Sequence, residues 1–446
     1  LIGMSVYRLL RRMGNSFLFS GIAGGGILFF YLVMTGPQVS SLRALLMFFI
    51  RMGAEITGRD VDQPTSLAVT AAILSIYQPL YLSDAAFLLS FGAILGILLL
   101  YPIFEQKIRL KAWEGFKISL AVNGMLLGIM LYYYFEVPPY ALVLNVILIP
   151  LFPFVMLTGI GGILFSELSG TVGKIGFRSC DRLLSFYDKL CELTSALPGS
   201  RIVTGQPELW WVLIYYGVLF FLCFLFYAMK NKTDNRRKQA GFSLLVCIVI
   251  AGSICGCGIL NNDSKNLQVT VLDVGQGDSV LIQAAGKTVL IDGGERDQGS
   301  VVLDDLKKYG VTTIDYMIAS HPHSDHIGGL VDVLEDAAVS SDLTVSMVLL
   351  PEIPDKDVPT TRVYEAFLDG IEDNHIDPTF VSEKQTLNLG GSTTLELIAP
   401  PAGKTYSSLN DYSMAAYLNC GGKTFLFTGD AEKNEEADWL ENGVFD

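Results

Sequence analysis

The chain has 446 residues, is 51% hydrophobic, has mean hydropathy +0.43 and carries a formal net charge of −14. That apolar share excludes a wholly water-soluble globular protein and points to membrane spans. Residues 263–446 hold about 11 Lys and Arg against about 32 Asp and Glu, whereas 1–262 are at roughly +7, so an apolar basic half is joined to an acidic one. The seven cysteines lie almost all in the apolar half and form no disulfide framework.

In chain order, Arg8, Arg11 and Arg12 precede an apolar run at 17–34 that is long enough to span a bilayer. Thr35-Gly36-Pro37 breaks it. Residues 40–52 are apolar but contain Arg43 and Arg51, which makes them a doubtful span. Further spans are expected at 66–82, 85–104, 118–135, 140–165, 209–229 and 241–260, about seven in all with the first run. Pro150 and Pro153 interrupt 140–165, and that run is expected to be re-entrant or to cross twice as short pieces. Residues 170–201 mix charged and apolar side chains and read as an interfacial amphipathic segment. Arg43 and Asp84, in or between apolar runs, are candidate channel residues; the bland alternative seats them at the headgroups.

Basic residues orient the bundle. The N-terminal arginines, the stretch Lys107 to Lys117, and Lys230, Lys232, Arg236, Arg237 and Lys238 all favour the cytoplasm. A final span at 241–260 then carries the acidic half outside. Placing both Lys117 and Lys230 inside requires an even number of crossings between them, and the apolar runs there number three.

Two stretches of this half resemble the competence membrane domain of ComEC-type DNA-internalisation channels. They are Thr35-Gly36-Pro37-Gln38-Val39-Ser40-Ser41-Leu42-Arg43-Ala44-Leu45-Leu46-Met47, and residues 64–90 with Asp84-Ala85-Ala86-Phe87-Leu88-Leu89-Ser90-Phe91-Gly92. Full members of that family place a soluble domain before this region, and the chain begins Leu1-Ile2-Gly3, so a fragment cut at both ends is expected. The expected division is a polytopic helical membrane domain at 1–260, a polar linker at 261–266, and a layered α/β domain at 267–446.

The acidic half opens with an alternating strand at 267–274, a turn at Gly275-Gln276-Gly277-Asp278, and a hairpin at 280–283 and 287–291 ending in Asp292-Gly293-Gly294. A helix is predicted at 299–309 and a short strand at 315–320. That strand delivers His321-Pro322-His323-Ser324-Asp325-His326, which uses three of the chain's four histidines. Later come a strand at 343–350, a helix at 361–373, and strands at 394–398, 414–419 and 424–427. Imidazoles and a carboxylate at a strand end suit zinc. Alternate residues point the same way along extended chain, so His321 and His323 can share one metal while Asp325 and His326 face a second.

This order resembles the αββα metallo-β-lactamase superfamily, with the H-x-H-x-D-H run matching its central motif. By that resemblance Asp292 is the early strand-end aspartate, a hydrogen-bond acceptor supporting the site, and Asp430 in Thr428-Gly429-Asp430 is the bridging aspartate. Asp273 to Ser279, with Asp273 and Asp278, further resembles the lactamase-like domain of competence channels. The implied metal ligands are His321, His323, Asp325, His326 and Asp430, with Asp325 and His326 catalytic, for two zinc ions or manganese. The family's third histidine is missing: Asn410-Asp411-Tyr412-Ser413 stands in its place, with Asp411 or Ser413 as substitutes, and His375 is expected to face solvent. The last histidine of the superfamily is expected beyond Asp446.

The resemblance implies a DNA-uptake channel whose external domain hydrolyses the strand that is not transported; the alternative is a channel with a non-catalytic guiding domain. The implied partners are single-stranded DNA in transit, membrane lipids, the DNA receptor and translocation proteins of a competence system, and a second copy of the chain. The acidity of the soluble half argues against a tight DNA clamp, because phosphate affinity comes from Lys and Arg.

Overall fold

The computed structural model describes residues 2–104, 111–166, 169–230, 236–261, 267–340, 342–382, 384–401 and 403–441. Lys107, Lys232, the linker at 262–266 and Asp446 lie outside the described residues. The chain forms two compact units, 1–129 with 212–250, and 130–211 with 251–446.

The first unit is helical. It contains α1 (Ile2–Arg12), α2 (Phe17–Thr35), α3 (Val39–Thr57), α4 (Gln63–Tyr77), α5 (Ala85–Leu95), α6 (Tyr101–Phe104) and most of α7 (Lys111–Tyr133). A π turn at Gly96–Leu100 joins α5 to α6, where a Cβ on Gly96 would meet the Ala121 carbonyl at 2.7 Å. Side-chain oxygens of Ser16, Asp62 and Asp84 cap α2, α4 and α5. Asp84 thus accepts from the Phe87 amide at 2.8 Å, and Arg43 donates to the Ser90 carbonyl with its guanidinium 5.8 Å from the Phe91 ring.

Among the described residues, six helices are long and apolar enough to cross a membrane: Phe17–Thr35, Ala85–Phe104, Trp113–Tyr133, Ala141–Ser166, Leu209–Met229 and Ala240–Cys257. The chain is therefore a multi-pass membrane protein. The run at 66–82 is not one of the six. Gln78 precedes Pro79, which disfavours helical backbone; Gln78 is extended at φ −143°, and α4 stops at 15 residues. The prolines of 140–165 do not split that run either, since α8 (Ala141–Ser166) continues through Pro150 and Pro153.

In the second unit, β1 (Glu136–Val137) pairs antiparallel with β2 (Ile202–Val203). Between them α8 and α9 (Gly170–Ser195) pack along one another. After β2 come α10 (Leu209–Lys230) and α11 (Arg236–Asn261), which belong mostly to the first unit.

The acidic region is a two-sheet sandwich. β3 (Gln268–Val271), β4 (Val280–Ala284) and β5 (Lys287–Ile291) are antiparallel neighbours. After α12 (Gly299–Lys308) and β6 (Thr313–Ile314), β7 (Tyr316–Ile318) runs parallel to β5. Then come α13 (Ser324–Val339), β8 (Thr344–Val345), β9 (Val348–Pro351), α14 (Arg362–Asp373) and β10 (Thr379–Val381). The large sheet has the order β10-β9-β7-β5-β4-β3. The strand expected at 343–350 divides: β8 pairs with β6 outside the large sheet, and β9 joins β7 within it. The second sheet is β11 (Lys384–Gly390), β12 (Thr393–Ile398), β13 (Ala415–Cys420) and β14 (Lys423–Phe427), all antiparallel, followed by α15 (Lys433–Glu441).

Alternation along the strands builds the layers. Leu281, Leu290 and Met317 turn to one side, into a core with Val302, Leu330 and Phe367 of α12, α13 and α14. Ile282, Val289, Ile291 and Ile318 turn to the other, against Leu387, Leu395, Leu397 and Leu418 of the second sheet. Trp439 of α15 closes the outer side on Ile398 and Ala415, completing an αββα sandwich. The parallel strands β5 and β7 end side by side, Ile291 opposite Ile318, and the site forms at those ends.

Candidate metal centre

Asp292 leaves β5 with φ +58°, a left-handed backbone that non-glycine residues rarely adopt. Its amide still bonds the Ile318 carbonyl at 2.9 Å, which fixes the turn to the end of β7. The carboxylate accepts from the Ser320 amide at 2.7 Å and from the Ser320 hydroxyl at 2.6 Å. Its Oδ2 also meets His326 Nδ1 at 2.9 Å, with both side chains only 1% exposed.

His326 sits in the first turn of α13, which His323 precedes as an extended N-cap. That turn is pressed onto the loop after Asp292: the Gly293 amide donates to the His326 carbonyl at 2.7 Å, and the Gly329 amide to the Gly294 carbonyl at 3.0 Å. Side chains at Gly328 and Gly329 would collide with the Arg296 amide and the Gly293 carbonyl. Close approach explains the pair of glycines.

The second sheet supplies the remaining wall. The Met414 amide donates to the Ser320 carbonyl at 2.8 Å, stitching the start of β13 to the end of β7. β14 then leads into Gly429, at φ +53°, where a Cβ would meet the Ser320 side chain at 2.9 Å. Asp430 follows and brings Oδ1 to 3.4 Å from His326 Nε2.

One ligand atom from each of His321, His326 and Asp430 lies within 4.8 Å of the others, a group that could hold a metal ion. His323 joins them, its Nδ1 3.1 Å from His321 Nε2. Ser320 Oγ lies 3.1 Å from His321 Nδ1, so the same hydroxyl touches both Asp292 and His321. The donor set fits a divalent metal: two nearly solvent-free imidazoles and a carboxylate converge, and His326 is oriented by a carboxylate on its other nitrogen, as metal-ligating histidines are.

The neighbouring histidines titrate in opposite directions. Burial lowers His321 to about 3, with the charge on His326 adding to the fall. Burial also opposes a charged His326, but the hydrogen bond and charge of Asp292, then Asp430 and Asp325, raise it to about 9. Asp278, at the solvent-exposed rim, is raised by desolvation first, with His326 pulling it down and Asp292, Asp430 and Asp325 pushing it up. One imidazole is thus held neutral beside a charged one in a field of carboxylates.

The other expected residues divide. Asp325 lies in the first turn of α13, where its backbone carbonyl leaves no room for a Cβ on Gly277. Asp273 is exposed on the loop after β3. Asp411 is buried, but its oxygens accept from Asn434 Nδ2 at 2.9 Å and the Glu435 amide at 3.4 Å, which holds the start of α15. Ser413 is fully buried with an unpartnered Oγ, 3.2 Å from where a Gly429 Cβ would stand. His375 is exposed, at φ +56° after α14.

Two residues were not singled out from sequence. Ser320 carries its signal in its place immediately before His321. Glu435 has none: it is an acidic residue in a polar helix, yet it is fully buried and neither carboxylate oxygen finds a hydrogen-bond partner.

Both halves of the chain match known families. Residues 1–229 match the family described as Competence protein, and residues 272–445 match the Metallo-beta-lactamase superfamily. ComE operon protein 3 of Bacillus subtilis is 23% identical over 425 residues, covering 91% of this chain and 52% of that protein. Competence protein ComA of Neisseria gonorrhoeae is 26% identical over 320 residues, covering 70% of this chain and 42% of that one. The chain thus spans about half the length of the curated relatives it matches. Among solved structures, a metallo-beta-lactamase from Cronobacter sakazakii aligns at 19% identity and TM-score 0.26, over 36% of this chain and 60% of that one.

Proposed function

The chain belongs to the competence protein family, and from that premise we propose that it is an integral-membrane channel for uptake of single-stranded DNA. Its lactamase-like domain lies outside the cytoplasm and hydrolyses the strand that is not transported. The observation that carries the hydrolase part is the convergence of His321, His326 and Asp430 at the strand ends of a chain whose membrane half is of the competence type. We place the membrane domain at 1–260 and the hydrolase domain from 267 onward. The basic residues at 107–117 and 230–238 support a cytoplasmic side for those loops and the opposite side for the domain after α11.

His321, His326 and Asp430, with His323 and Asp325 beside them, would hold a zinc or manganese ion, which would supply Lewis acidity toward a phosphodiester. The protein's own part is orientation. Asp292 and Ser320 lock His326 and His321, β13 and β14 carry Asp430 to them, and Asp278 and Asp325 keep the rim acidic. That acidic rim suits brief contact with a DNA strand better than a tight clamp.

A channel with a non-catalytic guiding domain is the competing reading, favoured by the absence of a further histidine beside the cluster among the described residues. Strand fate separates the two. Cells are given duplex DNA with a different label on each strand. The hydrolase reading expects one strand inside and the other as external fragments, with Asp325→Ala/His326→Ala leaving the external strand intact. External degradation unchanged by the double substitution contradicts it. Entry of neither strand through the unsubstituted protein contradicts the channel part.

A further inference from the structure

We propose that α8 and α9 form a hairpin that crosses the membrane twice, and that the charged stripe of α9 lines a water-filled passage. β1 precedes α8, β2 follows α9, and the two strands are paired, so the hairpin starts and finishes at the same level. The Thr204 amide reinforces this closure by donating to the Phe135 carbonyl at 2.9 Å. Whatever depth α8 reaches, α9 returns from.

α8 reaches far. Its 26 residues cover about 39 Å at 1.5 Å per residue, more than the hydrocarbon core of a bilayer. The mean hydropathy of its most apolar 18 residues is 2.4 and none of them is buried, so lipid is the environment that suits it. A helix lying in the interface needs one polar face, and α8 has none.

α9 is bound to α8 from Gly173 to Tyr187. A Cβ on Gly176 would meet Gly162 Cα at 2.7 Å, and one on Gly173 would meet Ser166 Cα at 2.7 Å. Further along, Cys180 Sγ lies 3.7 Å from the Val155 carbonyl, and Tyr187 Oη donates to the Leu148 carbonyl at 2.7 Å. With α8 in the bilayer, α9 is at the same depth.

The charges of α9 fall on the side away from α8. At 100° per residue, Lys174, Arg178, Asp181, Asp188, Lys189 and Glu192 fall within an arc of about 120°, with Arg182 and Ser185 inside it. All are exposed, and the α8-facing residues Gly173, Gly176, Cys180 and Tyr187 lie opposite. A continuous charged stripe at membrane depth is costly against lipid and is stable against water. Four crossings between Lys117 and Lys230 also put both basic stretches on one side, which three crossings do not.

The test is sidedness, read without DNA. Ser169→Cys at the turn end and Leu197→Cys near β2 are made separately in a full-length chain in which Ser replaces each native cysteine. Each is treated with a membrane-impermeant maleimide in intact and in permeabilised cells. Labelling of the two positions from opposite sides is expected; labelling from the same side overturns the double crossing. A short epitope inserted after Ser169, read by antibody in intact and opened cells, reports the same sidedness with the native cysteines in place. Ser185→Cys, in the middle of the stripe, is expected to react with a small water-soluble thiol reagent at least tenfold faster than Cys180 kept as the single cysteine of an otherwise cysteine-free chain. Equal, slow reaction at both overturns the water-lined passage.

Discussion

Asp292 and His326 are joined by a 2.9 Å contact from Oδ2 to Nδ1, which leaves His326 Nε2 facing Asp430. A strand-end carboxylate therefore sets which nitrogen of the histidine is free to bind. Asp292→Asn keeps the contact to the Ser320 amide and tolerates the left-handed backbone, but removes the charge behind His326. Metal affinity is expected to fall by roughly 10- to 100-fold. Competition with a chromogenic chelator measures it, and an unchanged affinity contradicts the orienting role.

Gly277 has φ +88°, and a Cβ there would run into the Asp325 carbonyl. Gly277→Ala is expected to cost on the order of 1–3 kcal/mol and to displace the first turn of α13. Thermal unfolding of the protein followed by circular dichroism reads the loss. Wild-type stability in the variant contradicts the close packing of this turn.

Glu435 provides the pH dependence. Burial first, then the Asp411 and Asp438 carboxylates, raise it to about 9 from 4.5. The folded state therefore binds the proton more tightly than the unfolded chain. Stability is fully present below the unfolded pKa, declines as pH rises, and is lost through pH 9. The unfolding temperature is expected to fall between pH 5 and pH 9, and Glu435→Gln to flatten that slope. A fall of equal size in the variant contradicts the assignment.

Arg201, beside β2, donates to Asp336 at 3.2 Å and lies 3.5 Å from Asp342, while Ser200 Oγ donates to Asp342 at 2.9 Å. These charge-assisted bonds tie the loop after α9 to the end of α13. Arg201→Ala is expected to cost up to about 2 kcal/mol and to speed protease cleavage between 196 and 208. Unchanged cleavage contradicts the tether.

Some of this architecture is written locally and some is not. The histidine run, Asp292 and Asp430 sit at strand ends flanked by glycines, so motif and periodicity locate them together. The end of α4 is equally local, because Pro79 dictates the backbone of Gln78. Composition alone overlooked that and counted 66–82 as a span. The pairing of β1 with β2 joins two-residue strands separated by two helices, and nothing near either strand announces it. For the same reason the closure of α8 and α9 at one end is not legible in either helix alone. Pro150 and Pro153 do not end α8, which is continuous from Ala141 to Ser166 despite the backbone donors they remove.

The most direct test of the central claim is cleavage of labelled DNA by the purified protein in lipid nanodiscs, stripped of metal and then titrated with Zn²⁺ or Mn²⁺. Cleavage is expected to appear with metal, saturate, and be lost in Asp325→Ala/His326→Ala. Equal cleavage by the metal-free protein, or by the double variant, contradicts a hydrolase centred on His321, His326 and Asp430.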